Sequence, residues 1–145
     1  MSRIPQLTEV GRQVATVSAQ CRCRVELRGL GGFPHAAWPQ VVWVGCADGA
    51  EQLAALGHGL DTALAEARLA PPDKRPFEPH LTLGRVRSNK GIKTLIHGLH
   101  LHQEVEVGPL LVTGFHLMRS QLSRGGPTYA VIQEFPLPGA EGPRA

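Results

Sequence analysis

The chain has 145 residues, 42% of them hydrophobic and 19% charged, with a net charge of +3 and a pI near 9.1. That length and mix suit one globular domain with a real core and exclude a disordered or fibrous chain. No apolar run approaches the ~20 residues that span a bilayer, and there is no secretory h-region, so the expectation is a cytoplasmic protein with reduced thiols and no membrane contact.

The first segment, IPQLTEVGRQVATVSA, carries Ile4, Leu7, Val10, Val14 and Val17 at three-and-four spacing. This predicts a helix with Pro5 in its first turn, weakened at Gly11. CRCRVELRGL then alternates. Cys21, Cys23, Val25 and Leu27 face one way, and Arg22, Arg24, Glu26 and Arg28 the other, which predicts a half-buried strand that GLGGFP breaks. PQVVWVGC is short, apolar and β-branched, as expected of a central strand covered on both faces.

Asp48 and Glu51 read as a capping box for a helix presenting Leu53, Leu56, Leu60 and Leu64 on one face and running to about Arg68. LAPPDKRPFEP is a loop by composition, and HLTLGRV is the next strand. A shorter helix is expected over roughly 90–99. GPLLVTGFHLMRS and PTYAVIQEFPL follow as two strands joined by QLSRGG as a hairpin turn. The order predicts an α+β domain over 1–138 with a largely antiparallel sheet, helices packed on it, and a disordered tail at 139–145.

Within FEPHLTLGRV, strand alternation puts His80 and Thr82 on one face and Leu81 and Leu83 on the other. The leucines are expected to pack under a helix while the imidazole and hydroxyl project into a groove. A neutral imidazole accepts a proton near pH 7, and a threonine hydroxyl donates to a phosphate oxygen. Arg85 has the wrong parity for that face and joins it only if the strand ends or bends at Gly84.

PHLTLGR resembles the H-x-T-x signature of the 2H phosphoesterase superfamily, followed by the arginine of its RNA 2′,3′-cyclic phosphodiesterases, historically called 2′-5′ RNA ligases. RGLGGFPHAAWPQVVWVGC is similar to that family's glycine-aromatic-proline turn and Val-rich strand. FHLMRSQLSRGGPTYAVIQEFPL resembles its C-terminal hairpin. The match runs over roughly residues 3–138. It implies two pseudo-symmetric lobes of antiparallel strands with helices outside, facing each other across a cleft and each carrying one H-x-T-x motif. His80 would then be the general base of the second motif and Thr82 a phosphate ligand, with Arg85 assisting. The first-motif histidine would protonate the departing 3′ oxygen and leave a 2′-phosphomonoester. No metal or other cofactor is implied, since two imidazoles supply both proton transfers. The implied partner is RNA ending in a 2′,3′-cyclic phosphate, or a small cyclic nucleotide, with 2′-5′ ligation as a secondary, reverse activity.

The sequence departs from the family pattern in one respect, because no second His-x-Thr or His-x-Ser occurs in it. The family's first strands and first motif would precede the helix at Pro5, so the expectation is an N-terminally incomplete chain. The alternative is a non-catalytic RNA- or nucleotide-binding relic, and a third is a dimer that brings two His80 residues together. Missing strands would also expose a sheet edge and favour self-association.

Other candidates have simpler accounts. Phe33 and Tyr129 could stack a base, although ordinary packing explains each. Cys21, Cys23 and Cys46 lack a recognised zinc spacing, and His97, His100 and His102 read as an exposed helix end. Ser123–Gly126 could nest an anion, yet a hairpin turn accounts for it.

Overall fold

A computed structural model describes residues 2–17 and 22–138. Cys21 and the expected disordered tail at 139–145 lie outside the described residues. The described chain is α+β, in the order α1 (Ile4–Val17), β1 (Cys23–Phe33), β2 (Val41–Cys46), α2 (Ala50–Glu66), β3 (His80–Arg85), α3 (Ile92–Leu101), β4 (Glu106–Val112), β5 (Gly114–Ser123) and β6 (Gly126–Pro136). It divides into two compact units. No helix among the described residues is long and apolar enough to cross a membrane.

The first unit holds α1, the body of α2 and the β5–β6 hairpin. Val10 and Val14 of α1, Leu56 of α2 and Leu137 form its buried core, with Leu60, Leu64 and Phe115 packed against it. Of the faces expected for α1 and α2, Val10, Val14 and Leu56 are buried and Ile4, Leu7, Leu53, Leu60 and Leu64 half-buried, while the Val17 side chain lies outside the described residues. Gly11 is no mere weakness in α1. A Cβ there would lie 2.5–2.8 Å from the Phe135 ring, so the missing side chain admits the aromatic stack of Phe135 on Phe115. The hairpin closes through a two-residue turn, with Ser123 opposite Gly126 and the Ser123 hydroxyl donating to the Gly126 carbonyl at 2.9 Å. The turn is shorter than the QLSRGG expected, since β5 runs to Ser123 and β6 begins at Gly126, where that hydrogen bond and a positive φ of 108° close it.

The second unit holds a four-stranded sheet in the order β3-β2-β1-β4, together with α3. Val25 and Val44 are 0% and 2% exposed and anchor its core with Leu99 of α3. Each such burial stabilises by about 1.5–3 kcal/mol. The turn after α3 is tied to β1: the Gly29 N–H donates to the Val105 carbonyl at 2.8 Å and the Leu30 N–H to the His102 carbonyl at 3.0 Å.

Five sequence expectations are corrected here. GLGGFP does not break β1, which runs on to Phe33. Gly29, at φ 81°, instead makes an irregularity between Leu27 and Leu30, and a Cβ there would meet the Gln103 carbonyl. GPLLVTGFHLMRS is not one strand. It is divided at Thr113 between β4 of the sheet and β5 of the hairpin, where the Thr113 carbonyl accepts the Leu137 N–H and Gly114 lies against the Phe135 carbonyl. α2 begins after Gly49, at φ 87°, while the Asp48 carbonyl is taken by the Glu26 N–H at 2.9 Å. β2 is central as expected, yet among its residues only Val44 is buried. Leu81 and Leu83 do not lie buried under a helix: they are 52% and 56% exposed, because β3 is the outermost strand of its sheet.

Candidate active site

Strand pairing in the second unit decides which side chains share a face. β1 and β2 pair Gly31 with Trp43 and Phe33 with Val41. β2 and β3 pair Gly45 with His80, Trp43 with Thr82, and Val41 with Arg85. Paired residues share a face, so Phe33, Trp43, His80, Thr82 and Arg85 stand on the same side of the sheet.

Arg85 reaches that side through a bulge. Val42 pairs with Gly84 and Trp43 with Thr82, so β3 advances two residues where β2 advances one, and Leu83 is the unpaired residue. The extra residue shifts the alternation by one and brings Arg85 onto the face of His80 and Thr82. The irregularity expected at Gly84 therefore exists one residue earlier. Leu83 lines a shallow hollow of 380 Å³ with Val42, Leu95 of α3, Arg87 and Lys90, and Arg85 itself is among its lining residues.

His80 is exposed, and its Nδ1 lies 2.8 Å from the Glu78 carbonyl. A carbonyl only accepts, so Nδ1–H donates to it, and in the neutral ring Nε2 keeps its lone pair. The ring is also held by neighbours. The Phe33 centroid lies 5.1 Å away at an interplanar angle of 81°, and that of Trp43 6.4 Å away at 60°. Phe33 and Trp43 are themselves 5.2 Å apart. The site thus combines a proton acceptor, a hydroxyl donor and an arginine fork on one exposed face, a set suited to a phosphate ester.

Of the residues expected at the site, His80, Thr82, Arg85 and Phe33 are brought together. Tyr129 lies on β6 of the other unit, exposed and opposite Ser120. His97 and His100 lie on α3, with His102 as its C-cap. Among the described residues no group of three or more histidine, cysteine or acidic side chains could hold a metal ion. Cys23 and Cys46 are free thiols, and burial pushes both upward from the usual thiol range.

Trp43 is a site residue that the sequence reading misses. Its signal there is faint: an aromatic at odd parity with Val44 in the strand that precedes the His80 strand. Only the register shows that it stands opposite Thr82 and beside His80.

The model of the 2′-5′ RNA ligase superfamily matches residues 3–124 of the chain. An RNA 2′,3′-cyclic phosphodiesterase of Aeropyrum pernix is 36% identical over 130 residues, which cover 90% of this chain and 73% of the relative. A protein of the same name from Aquifex aeolicus is 35% identical over 116 residues, covering 80% of this chain and 61% of the relative. Among solved structures, that of TT0787 from Thermus thermophilus superposes with a TM-score of 0.69 at 28% identity, over 96% of this chain and 72% of that one.

Proposed function

The chain belongs to the 2′-5′ RNA ligase superfamily, and from that membership we propose that it acts on RNA ends carrying a 2′,3′-cyclic phosphate, opening them to 2′-phosphomonoesters. His80 is the general base. Its Nε2 takes a proton from the attacking water as the water oxygen bonds to phosphorus and the bond from phosphorus to the 3′ oxygen breaks. Thr82 donates its hydroxyl to a non-bridging oxygen, and Arg85 grips the developing charge in a forked geometry. Phe33, whose ring stands edge-on to the His80 imidazole at 5.1 Å, has no base-stacking role in this proposal. Tyr129, on the other unit, is not part of this proposal. The departing oxygen needs an acid, the role the family resemblance gives to the first-motif His-x-Thr histidine, and these 145 residues hold no His-x-Thr besides that of His80.

What carries this reading is the register that puts His80, Thr82 and Arg85 on one face with the His80 Nδ1 already engaged. The test is hydrolysis of an RNA oligonucleotide ending in a 2′,3′-cyclic phosphate, with and without EDTA. Turnover unaffected by EDTA is expected, at a rate lowered by about 10²–10⁴-fold where no acid partner is supplied. Loss of activity in EDTA, or a His80→Ala protein as active as its parent, would contradict it.

Two further parts of the proposal concern setting. Its free thiols suit the reducing cytoplasm. Copies of the chain associate through exposed strand edges, since Leu81 on β3 and Met118, Leu122 and Val131 on the hairpin are large apolar side chains left in solvent.

A further inference from the structure

A base that works from an exposed strand needs something to hold its ring, and the hydrogen bond from Nδ1 to the Glu78 carbonyl fixes only one point of it. The imidazole can still swing about that bond. The other restraint is aromatic. Trp43 lies against β1 so closely that a Cβ on Gly31, its partner across the strands, would come within 2.3–2.9 Å of the indole. A Cβ on Gly45 would lie 3.2 Å from the same ring. Two glycines therefore clear the seat on which the indole rests, and Phe33 closes it from the β1 side.

The indole's polar atom plays no part in this seating. Nε1 of Trp43 is buried with no hydrogen-bond partner among the described residues, an arrangement that destabilises the fold. A phenylalanine or leucine would avoid that cost. What tryptophan contributes in exchange is ring area that backs Phe33 at 5.2 Å, and it is the Phe33 ring, 5.1 Å from the imidazole, that lies within cation–π range when His80 accepts a proton.

We propose that Trp43 and Phe33 are positioning residues for His80: Trp43, seated over Gly31, backs Phe33, and together they hold the imidazole with Nε2 outward, while Phe33 stabilises its positive charge as the water proton arrives. This rests on the assignment of His80 as the base. The rings act through His80 and not on the substrate, so their removal slows the chemical step more than it weakens binding.

The test compares Trp43→Leu, Trp43→Phe and Phe33→Leu with the parent, by turnover of the cyclic-phosphate RNA and by the side-chain nitrogen and proton NMR signals of His80. Trp43→Leu is expected to lower kcat about tenfold with KM little changed. It should also shift the His80 ring protons as the ring current is lost, and mix the two neutral tautomers. Trp43→Phe should restore most of kcat and the single tautomer, and a protein destabilised by the leucine still leaves that comparison with Phe33→Leu. Unchanged kcat and unchanged His80 signals in Trp43→Leu and Phe33→Leu would overturn the proposal. So would a raised KM at constant kcat, which would make the rings a base-stacking surface. If the parent turns over no cyclic phosphate, the functional assignment fails by itself, while the His80 spectra still decide whether the rings position it.

Discussion

At the scale of single residues, His80 suits a base because one of its nitrogens is already committed. With Nδ1–H on the Glu78 carbonyl, proton transfer has only Nε2 to use, and no tautomer change precedes it. Thr82 and Arg85 have a different part in the proposed reaction, hydrogen bonds to a charged group. Thr82→Val keeps the β-branched shape and removes the hydroxyl. It is expected to reduce kcat/KM about 10–100-fold, read in steady-state hydrolysis of the cyclic-phosphate RNA. Arg85→Lys keeps the charge and loses the fork, and is expected to fall between parent and Arg85→Ala in the same assay. His80 and Thr82 were legible in the sequence because strand parity is local. Arg85 was legible only conditionally, since whether an extra residue interrupts the alternation depends on what the neighbouring strand pairs with.

At the scale of elements, glycines decide more than propensity does. Helix propensity alone makes Gly11→Ala stabilising by about 1 kcal/mol. The structure reverses the sign. The new methyl would meet the buried Phe135 ring at 2.5–2.8 Å, and that ring cannot yield without leaving its stack on Phe115. A net loss of about 1–3 kcal/mol in urea unfolding is expected, and a stabilised variant would show that the α1 contact is looser than described. β1 makes a related point. Its glycine run looked like a terminator because glycine is poor in strands, yet here it lets a strand bend at Gly29 and seat an indole at Gly31. Composition shows a permissive backbone without showing what fills the space.

For the whole molecule, the buried Cys23 thiol and the half-buried Cys46 thiol give a pH dependence with a definite sign. Burial raises Cys23 and Cys46 above their unfolded values, so the folded protein holds their protons more tightly than the unfolded chain does. Their contribution to stability is full below the unfolded thiol pKa of about 8.5 and declines as pH rises through the higher folded values. Thermal unfolding between pH 7 and alkaline pH is expected to show Tm falling above that point, with the fall reduced in a Cys23→Ala, Cys46→Ala protein. Association offers a second test at this scale. Leu122, 87% exposed near the hairpin tip, should promote self-association, and Leu122→Lys is expected to shift sedimentation velocity profiles toward monomer.

The sequence by itself determined the α+β class, the helical faces of α1 and α2, the hairpin turn and the pairing of His80 with Thr82. All of these follow from periods of 2 or 3.6 residues and from turn chemistry, which are properties of neighbours along the chain. Only the tertiary structure decided that GPLLVTGFHLMRS is split between two sheets, that Leu81 and Leu83 face solvent on an outer strand, and that Trp43 lies beside the candidate base. Those outcomes depend on cross-strand register and on which strand lies at an edge. Both are set by residues distant in sequence, so no local pattern encodes them. Alternation in FEPHLTLGRV puts His80 and Thr82 on one face, and one unpaired leucine, placed by the strand beside it, brings Arg85 onto that face.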